Sequence, residues 1–460
     1  MSSVHEPAPV AAGAPPLAGT VPLLRELIRN ACVNDGRPES GQEHRSVATL
    51  REHFAGSDFE YEVIEPAPGR TSLVGRIRGT DPSAPSLALV GHLDVVPVDE
   101  SGWRHDPFGA EIVDGEVWGR GAVDMLNLTA AMAVVTRALA AGPGRLRGDL
   151  VFAAVADEEA GGRFGAGWIS AHRPDLIRAD YALTENGGVV LGGGEQPGIT
   201  LTVGEKGGAA RQLEVTGRPG HGSTPYGAQN AAVLAARVVQ AIADDPGEAV
   251  VLDHWRAVVA ALDLPPSLRA RLTDPATLNA ALPELGELAG YAHALTHATI
   301  APTTLHSGAK RNVIPGTAGV GLDVRLLPGQ RGADVDAHLR RVLEPWSDAV
   351  EIVAESDRAA SVSPADTPLA DAIAAAVRGT YPGARLVPVM MPGGTDGRHL
   401  RELGSVVYGF GLFSRDLGLA EFRRRFHGND ERIDLTSVEL TTTALYDTVV
   451  GLLGEQEQAR

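Results

Sequence analysis

Apolar residues recur along this chain in two spacings. Across 21–33, VPLLRELIRNACV repeats them every three to four positions, as a helix with one buried face does. Short apolar runs then alternate with helical stretches: SLVGRIRG (72–79), SLALVGHLD (86–94), the helix NLTAAMAVVTRALAAG (127–142), GDLVFAAVADEE (148–159) and ADYALTEN (179–186). Strands that alternate with helices predict an α/β layered domain. Several of these runs end in polar residues, which suits a site at the carboxyl ends of the strands.

After about residue 204 the texture changes. ARQLEVTG (210–217) reads as a half-exposed strand and NAAVLAARVVQAIAD (230–244) as a helix. GVGLDVRLLPG (319–329), ADVDAHLRRVLEPW (333–346) and AVEIVAES (349–356) continue as strand, helix and strand. The Leu/Ala/Pro-rich stretch 246–297 reads as extra helices within that unit. From about 360 the first texture returns, with the helix PLADAIAAAVRGTY (368–381) and the buried strand SVVYGFG (405–411). The expected organisation is a disordered segment 1–20, an α/β domain in two parts, 21–204 and 359–460, and an inserted α+β domain, 205–358.

At 460 residues two domains are the natural expectation. Net charge of −18 argues against nucleic acid or an anionic membrane as partner. The single cysteine, Cys32, excludes an internal disulfide and any cysteine-based zinc cluster. The N-terminus does not read as a signal peptide, and no run approaches the ~20 apolar residues of a membrane span. A cytoplasmic location is the simplest expectation.

Chemistry gathers where the apolar runs stop. His92 and Asp94 close one strand and fall on the same face by the period of two. Asp124 precedes a helix, where an N-cap is the ordinary reading. Asp157, Glu158 and Glu159 end another run, Glu185 a third, and His427 stands in RRFHGNDERI near the C-terminus. Two histidines and three carboxylates at strand ends form a nitrogen and oxygen ligand set suited to two zinc ions in an open, catalytic site.

GHLDVVPV, GRGAVDM, ADEEAGG, TENGG, GHGSTP, NVIP and FHGNDE stand here in the order found in metallopeptidase family 20. The chain resembles that family, which includes aminoacylases, succinyl-diaminopimelate desuccinylases, glutamate carboxypeptidases and Gly-X carboxypeptidases, over residues 20–455. The resemblance implies a catalytic domain with a central mixed sheet flanked by helices, interrupted by an α+β lid or dimerisation domain. It implies two Zn2+ per chain, replaceable by Co2+ or Mn2+. His92, Asp124 and Glu185 would hold one ion, and Asp124, Glu159 and His427 the other. Asp94 would hydrogen-bond His92 and fix its tautomer, and the Asp124 to Met125 peptide would be cis.

By the same resemblance Glu158 is the general base for amide hydrolysis and His221 an oxyanion donor, reaching a second subunit in dimeric relatives. Asn312, Gly394, Thr395 and Arg398 are carried over as substrate-binding residues, with Arg398 and Arg325 rival grips for a carboxylate. One departure stands out: relatives often have Lys two positions after the bridging aspartate, where this chain has Leu126. The implied substrate is an N-acyl amino acid or small peptide, and the implied partner a second copy joined through the inserted domain. Dipeptidase, desuccinylase and carbamoylase specificities fit the same site. A catalytically silent ligand-binding relative is the alternative of another class.

Overall fold

The computed structural model describes residues 17–141 and 146–454. The first sixteen residues of the expected disordered segment lie outside the described residues. Thr20 is buried and opens the first helix, Thr20–Arg29.

A ten-stranded mixed sheet forms the centre. Its middle is three parallel strands, Leu150–Val155, Leu87–His92 and Tyr181–Thr184, and Val406–Gly409 continues parallel to the last of these. On one flank Arg70–Ile77 runs antiparallel to Leu150–Val155, and on the other Arg385–Met391 runs parallel to Gly198–Glu205. Every residue of Leu87–His92 and Leu150–Val155 is buried, as strands covered on both faces require. Register puts His92 beside Val155 and Leu89 beside Leu183. The polar residues that end these three runs therefore emerge at one sheet edge.

Helix Leu126–Ala141 is apolar nearly all round because it is enclosed in the core. Thr129 Oγ1 donates to the His92 carbonyl at 2.9 Å, tying that helix to the end of the strand.

A second, five-stranded antiparallel sheet holds Gly207–Gly208, Arg211–Thr216, Thr299–Ser307, Thr317–Leu326 and Val350–Ala354. Thr317–Leu326 alternates strictly, burying Ala318, Val320, Leu322, Val324 and Leu326. Those side chains share a core with Val238 and Leu339 of helices Ala231–Asp244 and Gly332–Val342. The opposite face is more open.

The helices between residues 253 and 296 depart from the sequence reading. Instead of joining the second core, Trp255, Val258, Val259, Leu272 and Leu278 enter the cluster of the large sheet. Helix Asp253–Ala261 lies against strand Arg385–Met391. The physical reason is the apolar face that this outlying strand presents. Gly198 allows the close approach, since a Cβ there would stand 2.7 Å from Val387 and 3.0 Å from the Ala261 Cβ. Among the described residues no helix is long and apolar enough to cross a membrane.

Candidate metal centre

His92 ends its strand 1% exposed. Its Nδ1 lies 2.8 Å from the Asp94 carbonyl oxygen. A carbonyl can only accept, so Nδ1 carries a proton and Nε2 is the ring nitrogen turned toward the cluster. Nε2 faces Asp124 Oδ1 at 3.2 Å. The other Asp124 oxygen, Oδ2, lies 2.8 Å from His427 Nε2, which is 3.4 Å from Glu159 Oε2. One buried carboxylate thus stands between two imidazoles. Two donor sets form around it, His92, Asp124 and Glu185, and Asp124, Glu159 and His427, each with its ligand atoms within 4.8 Å of one another.

The backbone of Asp124 is held by a residue that the sequence reading did not single out. Glu431, fully buried, accepts from the Val123 and Asp124 amides at 2.7 and 3.0 Å on one oxygen. Arg120 donates to its other oxygen at 2.7 Å. The peptide from Asp124 to Met125 is cis, as the resemblance implies.

Asp94 plays a different part from the one expected of it. Its carboxylate does not take the His92 proton; the nearer oxygen is 3.7 Å from Nδ1, and the residue's own carbonyl makes that bond. The carboxylate instead accepts from the Glu158 and Glu159 amides, each at 3.1 Å, and from Asn34 Nδ2 at 2.8 Å. It therefore anchors the short turn Glu158–Ala160. Asn34 is held in turn by Arg70 at 3.0 Å, and Arg70 pairs with buried Glu43 at 3.0 Å.

Electrostatics shows what the site lacks without a cation. Burial above all, with neighbouring carboxylates and against the pull of His92, pushes the Glu158 and Glu185 carboxyls well above the usual range. Burial followed by Asp124 raises Glu159 as well. For His427 burial pulls downward, but hydrogen bonds to Asp124 and Glu159 outweigh it and hold the imidazole up at about 10. His92 is likewise held well above its ordinary value by Asp124 against the pull of burial. Protons on the two imidazoles offset only part of the carboxylate charge, and divalent cations do that better while leaving nitrogen lone pairs as ligands. Glu159 Oε1 is buried with no hydrogen-bond partner among the described residues, a donor left for such an ion. The residues fit a two-metal site.

The remaining candidates are spread more widely. Arg398 donates to the Gly161 carbonyl at 2.6 Å and the Thr395 carbonyl at 3.1 Å, so it clasps the turn that carries Glu158. Gly394 lies beside it, where a Cβ would be 3.0 Å from Arg398 Nη1. Thr395 is buried and its amide donates to Glu205. Arg325 is paired with Asp323 on its own strand at 2.9 Å. His221 and Asn312 stand together on an exposed arm, where Gly220–His221 pairs with Val313–Ile314. His221 Nδ1 meets Ser223 Oγ at 2.7 Å. Among the described residues neither makes a hydrogen bond or ion pair with the metal cluster. Asp396 is a further unanticipated acid, with both oxygens buried and without partners among the described residues. Burial, beyond the counter-pull of Arg398, raises it to about 7.

The model of peptidase family M20/M25/M40 matches residues 88–450. Aminoacylase-1 of Mus musculus is 28% identical over 435 residues, covering 93% of this chain and 94% of that protein. The N-fatty-acyl-amino acid synthase/hydrolase PM20D1 of Xenopus tropicalis is 27% identical over 397 residues, covering 84% of this chain and 75% of that one. The M20 family metallo-carboxypeptidase Sso-CP2 from Sulfolobus solfataricus shares the fold, with a TM-score of 0.69 at 18% identity over 94% of this chain and 98% of that one.

Proposed function

The chain belongs to peptidase family M20/M25/M40 and is a metal-dependent hydrolase of amide or peptide bonds, and from that premise we propose a di-zinc enzyme that cleaves an N-acyl amino acid or small peptide with Glu158 as general base. The observation that carries this reading is the placing of two imidazole Nε2 atoms on the two oxygens of Asp124, at 3.2 and 2.8 Å. His92, Asp124 and Glu185 hold one ion; Asp124, Glu159 and His427 hold the other. Bound zinc supplies Lewis acidity toward the amide carbonyl and brings the pKa of water down to about 7.

Glu158 accepts the proton of the attacking water on its carboxylate and returns it to the leaving nitrogen. Asp94 touches no reacting atom; through the two amides it fixes where the Glu158 and Glu159 side chains start. The part of 205–358 built on the five-stranded sheet and its two helices serves as a lid, and its arm brings His221 and Asn312 to the site of a second copy, where His221 donates to the oxyanion. Gly394 and Thr395 line the substrate pocket. Arg398, beside the turn that carries Glu158, is the grip for a carboxylate, with Arg325, already paired with Asp323, its rival. The substrate class follows the aminoacylase and N-fatty-acyl-amino acid hydrolase relatives.

The test is zinc content together with turnover on a panel of N-acyl amino acids and dipeptides, before and after chelation. Two ions per chain, activity lost with them, and recovery on adding Zn2+, Co2+ or Mn2+ is the expected result. Undiminished turnover by a metal-free chain contradicts the reading.

A further inference from the structure

Of the ligands just assigned, His427 is the least enclosed. Its side chain is 45% exposed, against 1% for His92, 4% for Asp124 and 5% for Glu159. Its φ of 59° is also one that residues other than glycine seldom adopt. Such a conformation persists only where the surroundings impose it.

Two supports reach His427 from opposite directions. From the Asp124 side, Arg120 donates to the His427 carbonyl at 3.3 Å. From the other, the Phe426 ring stacks on the imidazole with centroids 4.9 Å apart and planes 30° from parallel. The Arg423 guanidinium lies 5.2 Å from the Phe426 ring centre and 5.0 Å from that of Tyr291. It therefore joins the two rings in a cation–π bridge. Tyr291 belongs to helix Ala289–Thr296, within the helical stretch that joined the large core against expectation and has no part in the chemistry above. A nearby pair of Arg424 with Glu287, at 3.5 Å, is mostly exposed and adds little.

We propose that this helical stretch is a brace for the metal centre: Tyr291 and Arg423 are positioning residues that hold Phe426, and through it the His427 imidazole, in line with Asp124 and Glu159. The inference rests on the reading of His427 as a ligand. It gives the stretch 246–297 a function, since removing its aromatic contact frees a ligand that the strand ends do not hold.

The test is a titration with Zn2+ buffered by a competing chelator, reading ions bound per chain, with Tm measured alongside. Wild type is compared with His427→Ala, Tyr291→Ala, Tyr291→Phe and Arg423→Met. His427→Ala is expected to lose one ion. Tyr291→Ala and Arg423→Met are expected to weaken that same ion about 10-fold, as loss of a group supporting a ligand does. The other ion should bind as in wild type, and Tyr291→Phe, which keeps the ring, should bind both normally. Unchanged affinities in Tyr291→Ala, whatever its Tm, overturn the brace and leave the ligand standing. Equal weakening of both ions overturns it too, because the effect would then be general. If His427→Ala keeps both ions at wild-type affinity, the ligand assignment itself falls, and the brace with it.

Discussion

At the scale of single residues, the division of labour within Asp94 makes a sharp prediction. Its carbonyl fixes the His92 tautomer and its carboxylate receives the Glu158 and Glu159 amides. Asp94→Asn keeps the carbonyl but turns an NH2 group toward donors. Turnover should fall by about 10- to 100-fold, the usual effect of disturbing a supporting group, while both ions stay bound. Loss of the ion held by His92 and Glu185, with the other retained, would mean that the carboxylate, after all, holds His92. Glu431 is exposed to a different test. Glu431→Ala strips buried Arg120 of its partner and leaves two amides unsatisfied, so unfolding free energy should drop by about 3–5 kcal/mol. Denaturant titration measures it, and a drop under about 1 kcal/mol contradicts a structural role. Neither role was legible in the sequence. A period of two puts His92 and Asp94 on one face but cannot say which atom of Asp94 turns to the ring. Glu431 bonds to a peptide 307 residues away, and nothing local to NDERI marks that partner.

At the scale of elements, three of the candidate ligands were legible because each follows an apolar run that had to become a buried strand. Three such runs in parallel must end on one side, and that alone gathers His92, Glu159 and Glu185. Asp124 and His427 reach the same place from a Gly-rich turn and a loop, and only the order of motifs pointed to them. The helices between 253 and 296 were misplaced because amphipathic patterning shows that a face is buried and not against what. Their docking has its own test at Gly198, where a side chain would meet Val387 and Ala261. Gly198→Val should cost about 1–3 kcal/mol through overpacking, read by denaturant unfolding. A neutral result would mean that helix Asp253–Ala261 does not pack there.

For the whole molecule, the centre joins distant parts of the chain around a surplus of buried negative charge. Stability should therefore depend on metal. A ligand that binds only the folded chain stabilises it by about 4 kcal/mol at a thousandfold excess over its Kd, so chelation should lower Tm and added zinc restore it. Coincident Tm values with and without chelator would contradict the account of the buried cluster. The change of texture in the sequence near residues 204 and 360 falls where the chain passes from the ten-stranded sheet to the five-stranded one and back.

The most direct test of the central claim is the turnover of Glu158→Gln with its zinc content determined on the same sample. The account predicts two ions per chain and a rate reduced by about 10²- to 10⁴-fold, the share of a general base. Two ions with turnover equal to wild type would contradict it, because proton transfer would then belong to another group.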